Sequence, residues 1–114
     1  LGDAARHTKD LQIATDAYKA VRKRYPNSAH SASAAFALGL VAFDGQKNYV
    51  SASKWFAACL ADRKHGSLSK EALGRLMESH QLAGNREEAE KTADKYLQEY
   101  PNGPHAAMAR RLTE

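Results

Sequence analysis

The stretch RYPNSAH at residues 24–30 returns near the end of the chain as EYPNGPH at residues 99–105. Tyrosine, proline, asparagine and histidine recur in the same order, and Pro26 and Pro101 are 75 positions apart. Two interpretations are open: a chemical site copied twice, or a boundary element between repeated helical units. The choice between these two interpretations limits the functions that the protein can have.

The dipeptide Leu-Gly marks a second repetition, because it occurs at residues 1, 38 and 73. Repeats of this length indicate stacked supersecondary units. In the middle unit Ala35, Leu38 and Ala42 share one helical face, and Asp44-Gly45 predicts the turn that follows. A second apolar stripe then includes Ala52 and Phe56. The unit therefore predicts a helical hairpin.

The other two units have the same organisation. In the third, the turn is predicted at Gly84-Asn85, between two apolar stripes. No segment alternates apolar and polar residues in the manner of a strand, and all three prolines lie between helical segments. We expect an all-α fold of about six helices, including a truncated first one. The predicted units are residues 1–27, 28–65 and 66–102, with a C-terminal capping helix at 103–114.

Within this frame the opening motif is a boundary and not a duplicated site. Pro26 ends one helix, and Asn27 or Ser28 caps the next. The second copy places Asn102 or Gly103 at the cap and Pro104 at the first helical position. Tyr25 is expected to pack on the core, with both histidines in first turns at the surface. The middle copy has eroded to DRKHGS, with Lys64 in the proline position.

The pattern resembles the tetratricopeptide repeat, a helix-turn-helix unit of roughly 34 residues. Leu38-Gly39, Gly45, Tyr49, Ala52 and Phe56 match its consensus, and Ala93 departs from it where an aromatic is usual. The resemblance implies a right-handed α-solenoid. Long repeats joined by Tyr-Pro-x-Ser look most similar to bacterial cell-envelope proteins, namely the Tol–Pal accessory protein, the outer-membrane assembly lipoprotein and FecR-type regulator tails. A periplasmic or envelope location is favoured over the cytoplasm.

The totals agree with one domain. The chain has 114 residues, 43% of them hydrophobic and 26% charged, with a net charge of +4. This charge permits an acidic partner without requiring nucleic acid. Cys59 cannot form an internal disulfide, and no apolar run reaches the ~18 residues of a membrane span. Since the chain begins at Leu1, we expect it to continue upstream as part of a longer protein.

Residues with catalytic potential do not assemble into a recognisable motif. The five histidines have no metal-ligand spacing, and no glycine-rich phosphate loop follows a strand. Cys59 stands where the repeat needs a small buried residue, and His80 where it packs an aromatic. We therefore expect no catalytic residue, no metal and no cofactor, and the protein is not expected to be an enzyme.

The resemblance also implies a binding groove lined by the first helix of each unit. In that register lie Ser33, Phe36, Leu40, Phe43, Asp44, Glu71, Glu78 and Gln81. The apolar stripe formed by Phe36, Leu40 and Phe43 has two interpretations. It packs against a preceding repeat, or it forms an open groove whose carboxylates select a peptide.

A basic cluster lies at the end of the first complete helix and consists of Lys19, Arg22, Lys23 and Arg24. Cations there complement the helix macrodipole, although an acidic partner is the alternative. The expected function is non-catalytic binding of a peptide or partner protein, with no nucleic acid. The alternatives are a structural spacer or self-association module, and a regulatory domain that uses its basic helix.

Overall fold

The structure is a computed structural model that describes residues 2–62 and 66–114, with side chains from residue 7 onward. Lys64 and His65, expected in the middle boundary, lie outside the described residues, as does Leu1. The described chain contains six α-helices: α1 Gly2–Arg24, α2 Ala29–Leu40, α3 Tyr49–Ala61, α4 Ser69–Leu82, α5 Arg86–Glu99 and α6 Ala106–Leu112. The all-α prediction and the helix count are confirmed.

Helix boundaries follow the predicted chemistry at several positions. Helix α1 ends at Arg24, before Pro26 can disturb it. Ser28 caps α2, as predicted, and its Oγ accepts a hydrogen bond from the Ser31 amide at 3.0 Å. The turn between α4 and α5 uses Gly84 with a φ of +81°, a conformation that glycine adopts without steric cost. These three boundaries are readable from sequence.

The connection from α2 to α3 differs from the prediction. Helix α2 continues into a π-helical turn at Val41–Gly45, so Asp44-Gly45 belongs to the helix end and not to the turn. The reversal uses the next three residues, with Lys47 at a φ of +52° and Asn48 capping α3. The Asn48 Oδ1 accepts from the Ser51 amide at 3.1 Å. The chain therefore reverses directly before Asn48, whose side chain caps α3.

The first unit also differs in detail. The sequence predicts a truncated first helix followed by a separate second one, but α1 runs 23 residues without a break. Leu11 lies against Gly45, where an added Cβ would be 3.0 Å from its Cδ2. The first unit therefore contributes one long helix, and this helix packs on α2.

The helices stack in chain order, each packing mainly on the helices before and after it. This pattern of neighbouring contacts is that of an α-solenoid. The Cα radius of gyration is 14.7 Å, compared with about 13 Å for a globule of this length, and the principal extents are 44 × 35 × 20 Å. No described helix combines the length and apolar character needed to cross a bilayer.

Small residues allow the helices to approach closely. Of the eighteen buried hydrophobic residues among those described, ten are alanines, so helix backbones meet across methyl groups. Phe56 and Tyr96 are fully buried and fill the remaining space, while Trp55 is half-buried. Small residues therefore form the close contacts between helices, and large aromatic residues fill the space between them.

The glycines of the second and third Leu-Gly pairs, Gly39 and Gly74, each accommodate a ring. A Cβ on Gly39 would be 2.5 Å from Phe56 Cε1, so the Phe56 ring occupies the place of a side chain. In the third unit Ala93 stands where Phe56 stands in the second, and it leaves room above Gly74. The His105 imidazole lies there instead, since a Cβ on Gly74 would overlap it. The residue before α6 thus completes the third hairpin.

The second copy of the boundary motif does not repeat the first. Helix α6 begins at Ala106 after His105, not at Pro104, and neither Asn102 nor Gly103 caps it. The buried Tyr96 hydroxyl accepts a hydrogen bond from the His105 amide at 3.0 Å, just before the helix starts. The prediction for this helix start is therefore wrong.

Two side-chain placements in the motif are also corrected. Tyr25 is 46% exposed and does not close α1 on the core, although its counterpart Tyr100 packs on the Tyr96 ring at 5.5 Å. His30 is exposed as predicted. His105 was expected at the surface, but its side chain is only 15% exposed because it fills the space above Gly74.

Candidate functional site

The predicted apolar stripe lies at the end of α2 and is partly buried. Phe43 is 9% exposed and packs edge-on against Tyr49 at 5.1 Å between ring centroids. Phe36 packs edge-on against Phe56 at 5.6 Å. Phe36 and Leu40 are half-buried against the core cluster that contains Phe43. The stripe therefore forms the edge of the core and keeps part of its surface open.

Arg75 of α4 joins two of the predicted groove residues. Its Nε lies 3.2 Å from Glu71 Oε1, and its Nη1 lies 3.9 Å from Asp44 Oδ1. The guanidinium carbon is 5.3 Å from the centroid of the Phe43 ring, within range of a cation–π interaction. The guanidinium thus covers an aromatic ring and bridges carboxylates from two repeats.

The sequence analysis did not identify Arg75 as a site residue. Two features of the sequence could have identified Arg75. The first is that it follows Glu71 by four positions, the spacing of a helical ion pair. The second is that it lies one residue after Gly74, as Leu40 lies one residue after Gly39 in the stripe.

The remaining predicted groove residues lie apart from this bridge. The Glu78 Oε2 is 3.8 Å from His105 Nε2, so Glu78 faces the start of α6. Gln81 is exposed and, with Gly84 and Arg111, lines a separate cleft of about 270 Å³. Ser33 is exposed near the start of α2. The structure therefore brings together Phe43, Asp44 and Glu71, and places Glu78 and Gln81 further along α4.

The four predicted basic residues are not equivalent. Lys19, Lys23 and Arg24 are exposed on α1. Arg22 donates from Nη1 to Asp62 Oδ2 at 2.9 Å and to the Ser31 carbonyl at 2.9 Å. The Asp62 side chain is only 8% exposed. Arg22 therefore ties α1 to the start of α2 and the end of α3, while the other three cations face solvent.

Burial disfavours the charged forms of Cys59 and His80. Burial raises the pKa of the Cys59 thiol from 9.0 to about 11; the Asp62 carboxylate adds to the shift and Arg22 opposes it. Cys59 is fully buried, as the sequence predicted for this position. Burial also lowers the pKa of His80, against the opposing field of Glu88. Among the described residues, no three His, Cys, Asp or Glu side chains are grouped to hold a metal ion.

Comparison with known families agrees with this architecture. The tetratricopeptide repeat model matches residues 1–28 and 71–103, which together make up more than half of the chain. The first match covers α1 and its boundary motif, and the second covers most of α4, all of α5 and the second boundary. No curated protein is significantly similar to the chain. The chain belongs to the tetratricopeptide repeat family.

Proposed function

We propose that the chain is a non-catalytic module that binds a peptide segment of a partner protein on the face formed by α2 and α4. Tetratricopeptide repeats in general mediate protein–protein interaction and are not catalytic. The observation that supports this face is the Arg75 bridge: a cation on the Phe43 ring, held by Asp44 and Glu71. Beside it, Phe36 and Leu40 keep apolar surface open.

Apolar atoms and charges have separate roles in this proposal. Leu40 and the edge of Phe36 supply area that a partner side chain covers, with a gain of about 25 cal/mol for each Å² of apolar surface removed from water. Glu71 and Glu78 act as polar selectors along α4. With Asp44, the face carries three carboxylates and the single guanidinium of Arg75. A peptide segment with apolar and basic residues therefore fits it best.

The proposal is tested by selecting peptides from a random display library on the immobilised chain and measuring their affinities by fluorescence anisotropy. Leu40→Ala is expected to weaken the selected peptides about tenfold, the usual scale for a buried interface anchor. Leu82→Ala is the matched control, since Leu82 is 50% exposed at the end of α4.

Circular dichroism spectra must stay unchanged in both variants and both must remain folded at the assay temperature, so that lost binding is not lost folding. Peptides that bind wild type and Leu40→Ala equally well would place the binding site elsewhere. If no peptide sequence is enriched above background, the chain does not bind peptides on this face.

A structural role is the second candidate, in which the module is a spacer or associates with itself. It is favoured by Ile13 on α1, which is 58% exposed on a helix that packs chiefly on α2. Sedimentation velocity over a range of concentrations tests it. Self-association predicts that the sedimentation coefficient rises with concentration and that Ile13→Ser abolishes the rise.

The envelope location is a separate proposal that rests on the long repeats and the Tyr-Pro-Asn boundaries at Tyr25 and Tyr100. Fractionation of bacterial cells that express the full-length protein tests it. The protein is expected with the periplasmic or membrane fraction, and recovery in the cytoplasmic fraction alone would refute it.

A further inference from the structure

A second surface lies between the helices that close successive hairpins. Between α3 and α5 is an open cleft of about 400 Å³ whose exposed lining is mostly apolar. Leu73 and Leu76 of α4 form its floor and are nearly buried, while Ala57 and Ala61 of α3 form an exposed wall. The cleft does not involve the residues of the α2–α4 face described above.

Lysines form the opposite rim of this cleft. Lys91 and Lys95 of α5 line it, one helical turn apart. The Lys91 Nζ lies 3.4 Å from Glu87 Oε1 and 3.6 Å from Glu88 Oε1, which offset its charge. Lys95 is exposed and forms no ion pair within 4.0 Å among the described residues, so its ammonium group is available to a ligand at the rim of the cleft.

The preceding pair of helices forms a similar cleft. Between α1 and α3 a space of about 370 Å³ is lined by Lys19, Lys54 and Trp55, together with small residues of α3. Lys54 and Trp55 stand 37 positions before Lys91 and Thr92, which line the second cleft. Both clefts thus use the same positions of the helix, and each combines an apolar surface with lysine.

We propose that the α3–α5 cleft binds a polypeptide segment of a partner protein that presents an apolar side chain beside carboxylates. The apolar side chain covers the floor formed by Leu73 and Leu76, and a carboxylate pairs with Lys95 at the rim. A basic segment lacks this ion pair and is disfavoured, because Lys95 lines the cleft and Lys91 is already paired with Glu87 and Glu88. This preference is opposite in sign to that of the α2–α4 face, so the two surfaces select different partners.

Three fluorescein-labelled synthetic peptides of about 15 residues serve as probes. The first places leucine and glutamate at helical spacing, the second replaces each leucine with alanine, and the third replaces each glutamate with lysine. Anisotropy titrations at low salt and at about 0.3 M salt compare them. The leucine–glutamate peptide is expected to bind about tenfold more tightly than the alanine–glutamate peptide, and the leucine–lysine peptide is expected not to bind.

Two variants of the chain localise the site. Ala57→Gln extends a polar side chain into the cleft from an exposed helical position, and Lys95→Glu reverses the charge at the rim. Each is expected to weaken the leucine–glutamate peptide about tenfold. Lys9→Glu, at an exposed position on α1, changes the net charge by the same amount and is expected to have little effect. Helicity and the thermal midpoint are measured for all three variants, and the comparison is valid because the substitutions are at exposed positions.

Several results would overturn the proposal. Equal losses in Lys9→Glu and Lys95→Glu mean that the peptide responds to overall charge and not to the cleft. Unchanged binding in Ala57→Gln means that the peptide does not enter the cleft. Tighter Lys95-dependent binding to vesicles of mixed phosphatidylserine and phosphatidylcholine assigns the cleft to anionic lipid. Self-association that Ala57→Gln abolishes assigns it to a second copy of the chain.

Discussion

Replacing Gly74 with alanine tests whether His105 completes the third hairpin. An alanine Cβ at this position would overlap the imidazole of His105, which lies directly above the α4 backbone. The Gly74→Ala variant must therefore displace His105 or shift α4. Any displacement also strains the hydrogen bond from the His105 amide to the Tyr96 hydroxyl, which is 3.0 Å long.

Two opposing terms set the size of the effect. Overpacking a filled site costs about 1–3 kcal/mol. Alanine in place of glycine inside a helix gains about 1 kcal/mol. We expect Gly74→Ala to lower the free energy of unfolding by about 1 kcal/mol in the wild-type background, because the steric cost exceeds the helix propensity gain.

The effect of Gly74→Ala on the free energy of unfolding should change sign when the His105 ring is absent. In a His105→Ala background the alanine at position 74 meets no imidazole, and only the helix propensity gain of about 1 kcal/mol remains. The coupling between the two positions is then about 2 kcal/mol, well above the error of a double-mutant cycle. His105→Ala alone is expected to destabilise the chain, because it leaves a void above Gly74.

Urea unfolding of the four proteins, followed by circular dichroism, measures this cycle. Gly39→Ala provides a comparison, because the Phe56 ring it would meet is fully buried and has less room to move. Its cost is expected to exceed that of Gly74→Ala. If Gly74→Ala destabilises both backgrounds equally, with a coupling below about 0.5 kcal/mol, the account of His105 as the packing partner of Gly74 is wrong.

Three further predictions concern charges and ionisation. Arg22→Met removes three hydrogen bonds, to Asp62 and to the carbonyl and hydroxyl of Ser31, and should lower the free energy of unfolding by about 2 kcal/mol. Lys23→Met should change it by less than about 0.5 kcal/mol in the same urea titrations. The raised pKa of Cys59 means that the unfolded thiol ionises first, so stability should fall between pH 9 and pH 11, and less so in Cys59→Ala. The lowered pKa of His80 means that the unfolded chain takes up the proton first, so stability should fall as the pH drops below 6.5; thermal midpoints of wild type and His80→Leu across this range measure the difference.

The sequence was informative where local chemistry decides the structure. Pro26 cannot continue a helix and Ser28 can cap one, so the first boundary needs no tertiary information. Gly84 reaches a φ of +81° that few other residues adopt, and the turn there was predicted for that reason. The hairpins and the all-α fold follow from such signals together with the apolar periodicity.

Prediction failed where a distant residue decides the local structure. His30 and His105 occupy equivalent positions in the motif, yet only His105 is opposite a glycine with space above it. That space exists because Ala93 replaces an aromatic on another helix. Likewise the hydrogen bond from the His105 amide to the Tyr96 hydroxyl, just before α6, cannot be read from the sequence around Pro104.

The candidate site was predictable in part. The helical register placed Asp44 and Glu71 on neighbouring first helices, and the structure does bring both to Arg75. The register could not show how deeply Phe43 is buried, because that depends on Tyr49 across the α2–α3 connection. Arg22 was assigned to a surface patch because its partner Asp62 is 40 positions away.

The ring supplied by His105 has a consequence for cooperativity. An isolated helix of seven residues is too short to be stable in water, so α6 persists only through its packing. Because His105 fills the third hairpin, opening α6 exposes the core of α4 and α5, and these helices should exchange their amide hydrogens as one unit. At the other end α1 packs chiefly on α2 and should open in smaller steps. Amide hydrogen exchange is therefore expected to show α1 opening separately from the unit formed by α4, α5 and α6.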